Sequence, residues 1–219
     1  MPVFRRHEPW WKYIDHSCST QCRDAEFTDC QRAKQDGNPR PVPYISAMSN
    51  RQIYRGAVIE VVTEDVDLPE GRSARLDLIR HPGAAAVVPF LSSEEVLLIR
   101  QYRHAAGGYI LEVPAGKLDP GESPETCARR ELEEETGWRA ETCERLTTLL
   151  TTPGFTDERI HLFMASGLRP AQQNLQDDEV IELVPMAFRD ALDLVWNGKI
   201  EDGKTALALI HAARQRGVL

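Results

Sequence analysis

The sequence predicts a mixed α/β domain, a mixed sheet with helices on both sides, preceded by an irregular N-terminal extension. Three observations carry this. Short segments rich in Val, Ile and Leu recur from Tyr54 onward, separated by Pro, Gly or charged clusters, as strands are. A few helical stretches interleave with them, which suits a sheet covered on both faces. The first 47 residues show neither period and end in the breaker-rich run Gly37-Asn38-Pro39-Arg40-Pro41-Val42-Pro43.

Taken in order, strands are expected at 54–62, 75–81, 84–91, 96–102 and 109–113. A helix follows over 123–136, with Ser123 as N-cap, Pro124 at the first helical position and Gly137 as the stop. Further strands are expected at 147–150 and 159–165, joined through Pro153-Gly154, and at 179–184. A helix over 188–196 stops near Gly198, and an amphipathic helix over 204–215 is capped by Asp202 and stops near Gly217. The chain thus divides into an extension, 1–47, and a folded domain, 48–219. Two readings stand for the extension: a poorly ordered or loosely docked segment, or a mis-assigned leader with Met48 as the true start. His16, Cys18, Cys22 and Cys30 raise the question of a zinc site there, but the paired C-x2-C spacing that marks one is missing.

Composition narrows the function classes. Hydrophobic residues make up 42% and charged residues 27% of the 219, which is the balance of a globular domain. No apolar run reaches the roughly 20 residues of a membrane-spanning helix. A net charge of -8 disfavours nucleic acid, which is bound through basic patches. Five cysteines, an odd count unevenly placed, suggest free thiols in a reducing, cytoplasmic compartment.

The chemistry concentrates in Gly116-Lys-Leu-Asp-Pro-Gly-Glu122 and the helix after it, through Arg130-Glu131-Leu132-Glu133-Glu134-Glu135-Thr136-Gly137-Trp138. On a helix, Glu131, Glu134 and Glu135 fall at i, i+3 and i+4, so their carboxylates share a face and repel one another. Glu122 adds a carboxylate at the N-terminal end, and Arg130 is placed to orient an acid by a bidentate pair. Oxygen ligands without histidine or thiolate suit a hard cation, Mg2+ first and Mn2+ second.

The segment resembles the Nudix box, Gly-x5-Glu-x7-Arg-Glu-U-x-Glu-Glu-x-Gly-U, with U a bulky apolar residue. Gly116, Glu122, Arg130, Glu131, Leu132, Glu134, Glu135 and Gly137 match, and Trp138 fills the usually aliphatic last slot. Seven fixed residue types coincide by chance on the order of 10⁻⁸ per start position, so an unrelated acidic helix is set aside. The resemblance implies a Nudix-type α/β/α sandwich and metal-dependent hydrolysis of a diphosphate. It implies Glu131, Glu135 and the Ala115 or Gly116 carbonyl as ligands, with Glu134 bound directly or through water. Glu122 and Arg130 would hold loop and helix in register.

A narrower resemblance runs over about 54–213. Gln101-Tyr102-Arg103, then Leu111-Glu112-Val113-Pro114-Ala115-Gly116, and Thr152-Pro153-Gly154-Phe155-Thr156-Asp157-Glu158 look like the ADP-ribose pyrophosphatase branch. It implies Arg103 on the diphosphate, where a planar guanidinium pairs with phosphate oxygens, and Glu112 near the substrate. It also implies a homodimer that exchanges strands near the domain's N-terminus. Phe155, Tyr54 and Tyr102 are candidates to stack on a nucleobase. The resemblance also implies that a loop here supplies the general base; in the run Gln176-Asp177-Asp178-Glu179 the candidates are the three carboxylates, with Glu179 favoured because it directly precedes a strand. The expected reaction is hydrolysis of ADP-ribose to AMP and ribose 5-phosphate. The alternatives are another nucleoside-diphosphate sugar such as GDP-mannose, or a non-catalytic nucleotide sensor, disfavoured because the box has lost no carboxylate.

Overall fold

The computed structural model describes residues 49–219. The expectations for residues 1–47, including His16, Cys18, Cys22 and Cys30, lie outside the described residues. Strands β1 (Ser49–Arg55), β2 (Glu60–Leu68) and β3 (Arg72–Arg80) form an antiparallel meander in that order. The single strand expected over 54–62 is therefore two strands. Between them the chain reverses, and the turn is closed by the Gly56 N–H donating to the Ile59 carbonyl at 2.9 Å. Apolar residues on both sides of this turn hid it from the sequence pattern.

The core lies around β4 (Ala84–Pro89), the parallel neighbour of β10 (Arg159–Ser166). Strands β7 (Ala115–Lys117) and β9 (Thr142–Leu150) flank that pair antiparallel, giving a mixed sheet ordered β7-β4-β10-β9. Alternation along β4 feeds two cores. Ala85 and Val87 pack with Cys127, Ala128 and Leu132 of helix α1 (Pro124–Thr136). Ala86 and Val88 face the other way, into a cluster with Phe188, Leu192, Leu209 and Ala212. Those residues belong to helices α2 (Phe188–Trp196) and α3 (Gly203–Gln215). The expected α/β/α sandwich is the observed fold.

A second sheet, ordered β12-β5-β6, consists of β5 (Glu95–Arg103), β6 (Gly108–Glu112) and β12 (Ile181–Ala187). Val96, Leu97, Leu98 and Ile99 are all buried, so β5 is covered on both faces. It emerges at its C-terminal end with Gln101 and Arg103. Two short strands, β8 (Trp138–Arg139) and β11 (Arg169–Pro170), pair with each other. The sequence pattern did not anticipate β7, β8 or β11. Two or three residues carry no period, and β7 exists because Ala115 and Gly116 pair with Ala86 and Ala85.

Helix α1 begins and ends where its sequence requires. Ser123 Oγ accepts the Thr126 N–H at 3.1 Å. Gly137 takes the left-handed conformation at φ 71° and returns its N–H to the Glu133 carbonyl, a closure that suits glycine. Among the described residues no helix is long and apolar enough to cross a membrane.

Candidate active site

A cleft of about 790 Å³ opens where the exposed end of β5, strand β7, helix α1 and the segment before β12 meet. Helix α1 presents Glu131, Glu134 and Glu135 to it, as their spacing requires. Glu131 and Glu135 are 3% and 1% exposed, an unusual burial for carboxylates. The backbone of β7 allows it: a Cβ at Gly116 would fall inside the Glu131 carboxylate. The Ala115 N–H donates to Glu135 Oε2 at 3.0 Å.

Arg130 ties the box together. Its Nε and Nη2 fork onto Glu122, both at 2.9 Å, and Nη2 also reaches the Lys117 carbonyl at 3.2 Å. Its Nη1 donates to Glu131 Oε1 at 2.7 Å and Glu134 Oε2 at 3.0 Å. The hydrogen bond from Arg130 holds the Glu122 carboxyl below its usual range. Glu131 and Glu135 move the other way. Burial pushes Glu131 up despite Arg130. Burial and then the Glu131 charge push Glu135 well above the usual carboxylate range.

Among the described residues no three Asp, Glu, His or Cys side chains close into a metal-holding group, and Arg130 bridges Glu131 and Glu134. The donor chemistry nonetheless fits a hard divalent cation. Every donor is an oxygen, two carboxylates are almost fully buried, and no cation pairs with Glu135 among the described residues. Buried carboxylates of this kind call for an opposing charge.

Across the cleft, Asp178 and Glu179 line the wall, while Asp177 lines a smaller neighbouring cavity with Asn174 and Leu175. Glu179 Oε2 accepts the Gln176 N–H at 2.7 Å. Its charge is felt at both Glu131 and Glu135. The strand itself begins two residues later than expected, at Ile181.

Arg103 lines the cleft, and Glu112 lies behind it, fully buried. Arg103 Nε and Nη2 donate to Glu112 Oε1 and Oε2 at 2.8 and 3.2 Å. Lys204 Nζ contacts the same carboxylate and also pairs with Asp202 Oδ2 at 3.0 Å. Lys204 was not singled out from the sequence. It stands 92 residues from Glu112, and nothing local marks such a pair. Gln101, quoted from the sequence only as a neighbour of Arg103, also lines the cleft, its Oε1 buried and without a hydrogen-bond partner among the described residues.

The stacking candidates separate. Tyr102 lines the cleft, whereas Phe155 and Tyr54 do not. Phe155 is held elsewhere by its loop, whose backbone follows β3: its carbonyl accepts the Ile79 N–H at 2.7 Å, and Asp157 accepts the His81 N–H at 2.9 Å.

Comparison with known proteins decides the family. The NUDIX domain model matches residues 80–208, which is more than half the chain. The chain belongs to the NUDIX family. The chain is 40% identical over 164 residues to an ADP-ribose pyrophosphatase of Bacillus subtilis (strain 168), covering 74% of this chain and 89% of the relative. A GDP-mannose pyrophosphatase of Cronobacter sakazakii is 37% identical over 174 residues, covering 74% of this chain and 90% of that protein. A solved ADP compounds hydrolase superposes with a TM-score of 0.69 at 22% identity, over 80% of this chain and 96% of its own; it shows the shared fold. The protein is a Nudix hydrolase, an enzyme class that works with divalent metal ions.

Proposed function

We propose that this Nudix hydrolase cleaves the diphosphate of ADP-ribose, giving AMP and ribose 5-phosphate, with Mg2+ as its cofactor and Mn2+ as a substitute. The observation that carries this reading is the cleft itself. It sets a buried acidic helix face beside an arginine, across from the carboxylates of Asp178 and Glu179. Similarity to the Bacillus subtilis ADP-ribose pyrophosphatase supports the choice of substrate.

Glu131, Glu134, Glu135 and the Ala115 carbonyl would hold the metal. When bound, it neutralises diphosphate charge and makes water more acidic. Arg103 pairs with diphosphate oxygens through its planar fork. Glu179 accepts a proton from the attacking water, and Glu134 assists from the helix side. Water oxygen forms the new bond to phosphorus, the bridging P–O bond breaks, and the bridging oxygen leaves with the other phosphate. Glu122, Arg130, Gly116 and Gly137 keep loop and helix in register. Phe155, exposed and away from the cleft of its own chain, is retained as a substrate contact only through loop movement or a second subunit.

Similarity to the Cronobacter sakazakii GDP-mannose pyrophosphatase favours a second reading, in which the nucleoside-diphosphate sugar is GDP-mannose. Phosphate released by a coupled phosphatase separates the two. ADP-ribose preferred by at least tenfold in kcat/KM supports the first reading; GDP-mannose preferred by that margin replaces it.

The functional unit we infer is a cytoplasmic homodimer. Ile53 and Tyr54 on β1 and Val58 beyond it are about half exposed, apolar surface that a second copy can cover. Cys127 and Cys143 are free thiols, in keeping with a reducing compartment. Sedimentation giving only monomer at micromolar concentration would count against the dimer.

A further inference from the structure

Behind the cleft, a line of charged and polar groups ties β6 to the start of α3. The Val113 N–H donates to Thr205 Oγ1 at 2.9 Å, and Thr205 donates through Oγ1 and its N–H to Asp202 Oδ2. Asp202 accepts from Lys204, Lys204 also holds Glu112, and Glu112 takes the Arg103 fork. The side chains of Glu112, Lys204 and Asp202 are 0%, 13% and 17% exposed. Arg103, at 39%, is the member that reaches the cleft.

Two features separate this line from an ordinary ion pair. First, Glu112 is shared by two cations. A carboxylate gripped by Arg103 alone can still turn with it; one also held by Lys204, which Asp202 anchors in turn, is fixed in its plane. Second, Arg103 spends Nε and Nη2 on Glu112 and has no partner for Nη1 among the described residues. A planar guanidinium gripped on one edge presents the remaining edge in a fixed direction.

We propose that Lys204 is a positioning residue that acts through Glu112 on Arg103. It fixes the plane of the Glu112 carboxylate, and with it the plane of the guanidinium, so Arg103 offers Nη1 to the diphosphate in a fixed direction. Asp202 and Thr205 hold Lys204 in place. The inference rests on a diphosphate substrate, but not on which nucleoside or sugar it bears.

The test uses the full chain as wild type, Lys204→Met, Glu112→Gln and the double variant, with kcat, KM and melting temperature measured on ADP-ribose with Mg2+. Lys204→Met is expected to raise KM about tenfold and change kcat less than about threefold, the pattern of lost ground-state positioning. In the Glu112→Gln background the same substitution should change KM less than about twofold, because the carboxylate through which Lys204 acts is gone. Lys204→Gln keeps a donor to Glu112 without the charge; it serves if the methionine variant does not fold, with an expected KM rise of at least about threefold. A KM within about twofold of wild type in a folded variant overturns the proposal, as do effects that multiply in the double variant. A fall in melting temperature alone would show a structural role only and also overturns it.

If wild type cleaves GDP-mannose in place of ADP-ribose, the substrate reading falls, and the same comparison on GDP-mannose decides the role of Lys204. If it cleaves neither, calorimetric binding of inorganic pyrophosphate with Mg2+ decides it. Binding about tenfold weaker in Lys204→Met supports positioning, and equal binding overturns it.

Discussion

Replacing Gly116 by alanine adds one methyl group at the spot where the Glu131 carboxylate already lies. Ordinary contact between heavy atoms needs about 3.5 Å, so the carboxylate must withdraw by roughly 1.5 Å. The backbone of β7 cannot yield in its place, since Gly116 pairs with Ala85 of β4 and Ala85 is fully buried. Because Glu131 is displaced at its flexible end, folding should lose only about 1–3 kcal/mol, the usual cost of overpacking. For a domain of this size that is a fall of several degrees in melting temperature. Catalysis should suffer more. Misplacing a reacting group by about 1 Å can cost about 10²-fold, or about 2.7 kcal/mol in the barrier. The assay measures kcat/KM on ADP-ribose at saturating Mg2+, with a Mg2+ titration of each protein alongside melting curves. The expected result is a kcat/KM about a hundredfold lower, a higher Mg2+ requirement and a folded protein. Kinetics within about threefold of wild type would refute the packing of Glu131 against Gly116 as the basis of the site.

Glu135→Gln keeps the packing atoms and the acceptor for the Ala115 N–H while removing a charge; turnover should fall by about 10³-fold or more with melting unchanged. A chelator should abolish wild-type activity, and Mg2+ should restore it; activity persisting in excess chelator would count against the metal. Leu132→Ala opens a cavity under α1, between it and Ala85 and Val87, and should cost about 2–5 kcal/mol in urea unfolding; less than about 1 kcal/mol would mean the helix is held mainly by its ion pairs. Burial, with Arg145 and Arg159 nearby, lowers the pKa of His161 from 6.5. The unfolded chain therefore binds the proton more readily, so this stabilisation is complete above about pH 6.5 and lost as pH falls through the folded value. His161→Gln should flatten the pH dependence of melting below neutrality, and an unchanged profile would refute the assignment.

What the sequence disclosed followed from how local each cause is. Ser123, Pro124 and Gly137 marked both ends of α1 because caps act within one turn, and the spacing of Glu131, Glu134 and Glu135 set their common face. The start of α3 was legible on the same grounds, since Asp202 caps it by accepting the Thr205 N–H, whereas α2 starts at Phe188 without a side-chain cap. The turn after Arg55 was hidden because Val58 and Ile59 look like strand residues, and β7 was hidden because pairing with β4, not propensity, makes it a strand. At the site, Arg103 and Glu112 were found separately, by resemblance. That they grip each other is a property of the β5–β6 register, in which Arg103 pairs with Gly108 and Ile99 with Glu112. Lys204 joins them only because α3 packs back onto the sheet.

The site's charges explain why its two halves depend on each other. Six carboxylates line the cleft, those of Asp119, Glu131, Glu134, Glu135, Asp178 and Glu179, against three permanent cations, Lys117, Arg103 and Arg130. Arg130 is already committed to Glu122, Glu131 and Glu134. An anionic diphosphate entering this cleft without metal would meet more carboxylates than cations, with Arg103 and Lys117 left to receive it, and like charges a few ångströms apart in a partly desolvated site repel strongly. Divalent ions held on the α1 face, as proposed above, would offset that charge, so metal and substrate would each favour binding of the other. Arg103 would then meet the phosphates with the guanidinium edge that Glu112 leaves free. On this reading the acidic helix would hold the metal, and the network behind β6 would set the direction in which one guanidinium edge meets the phosphates.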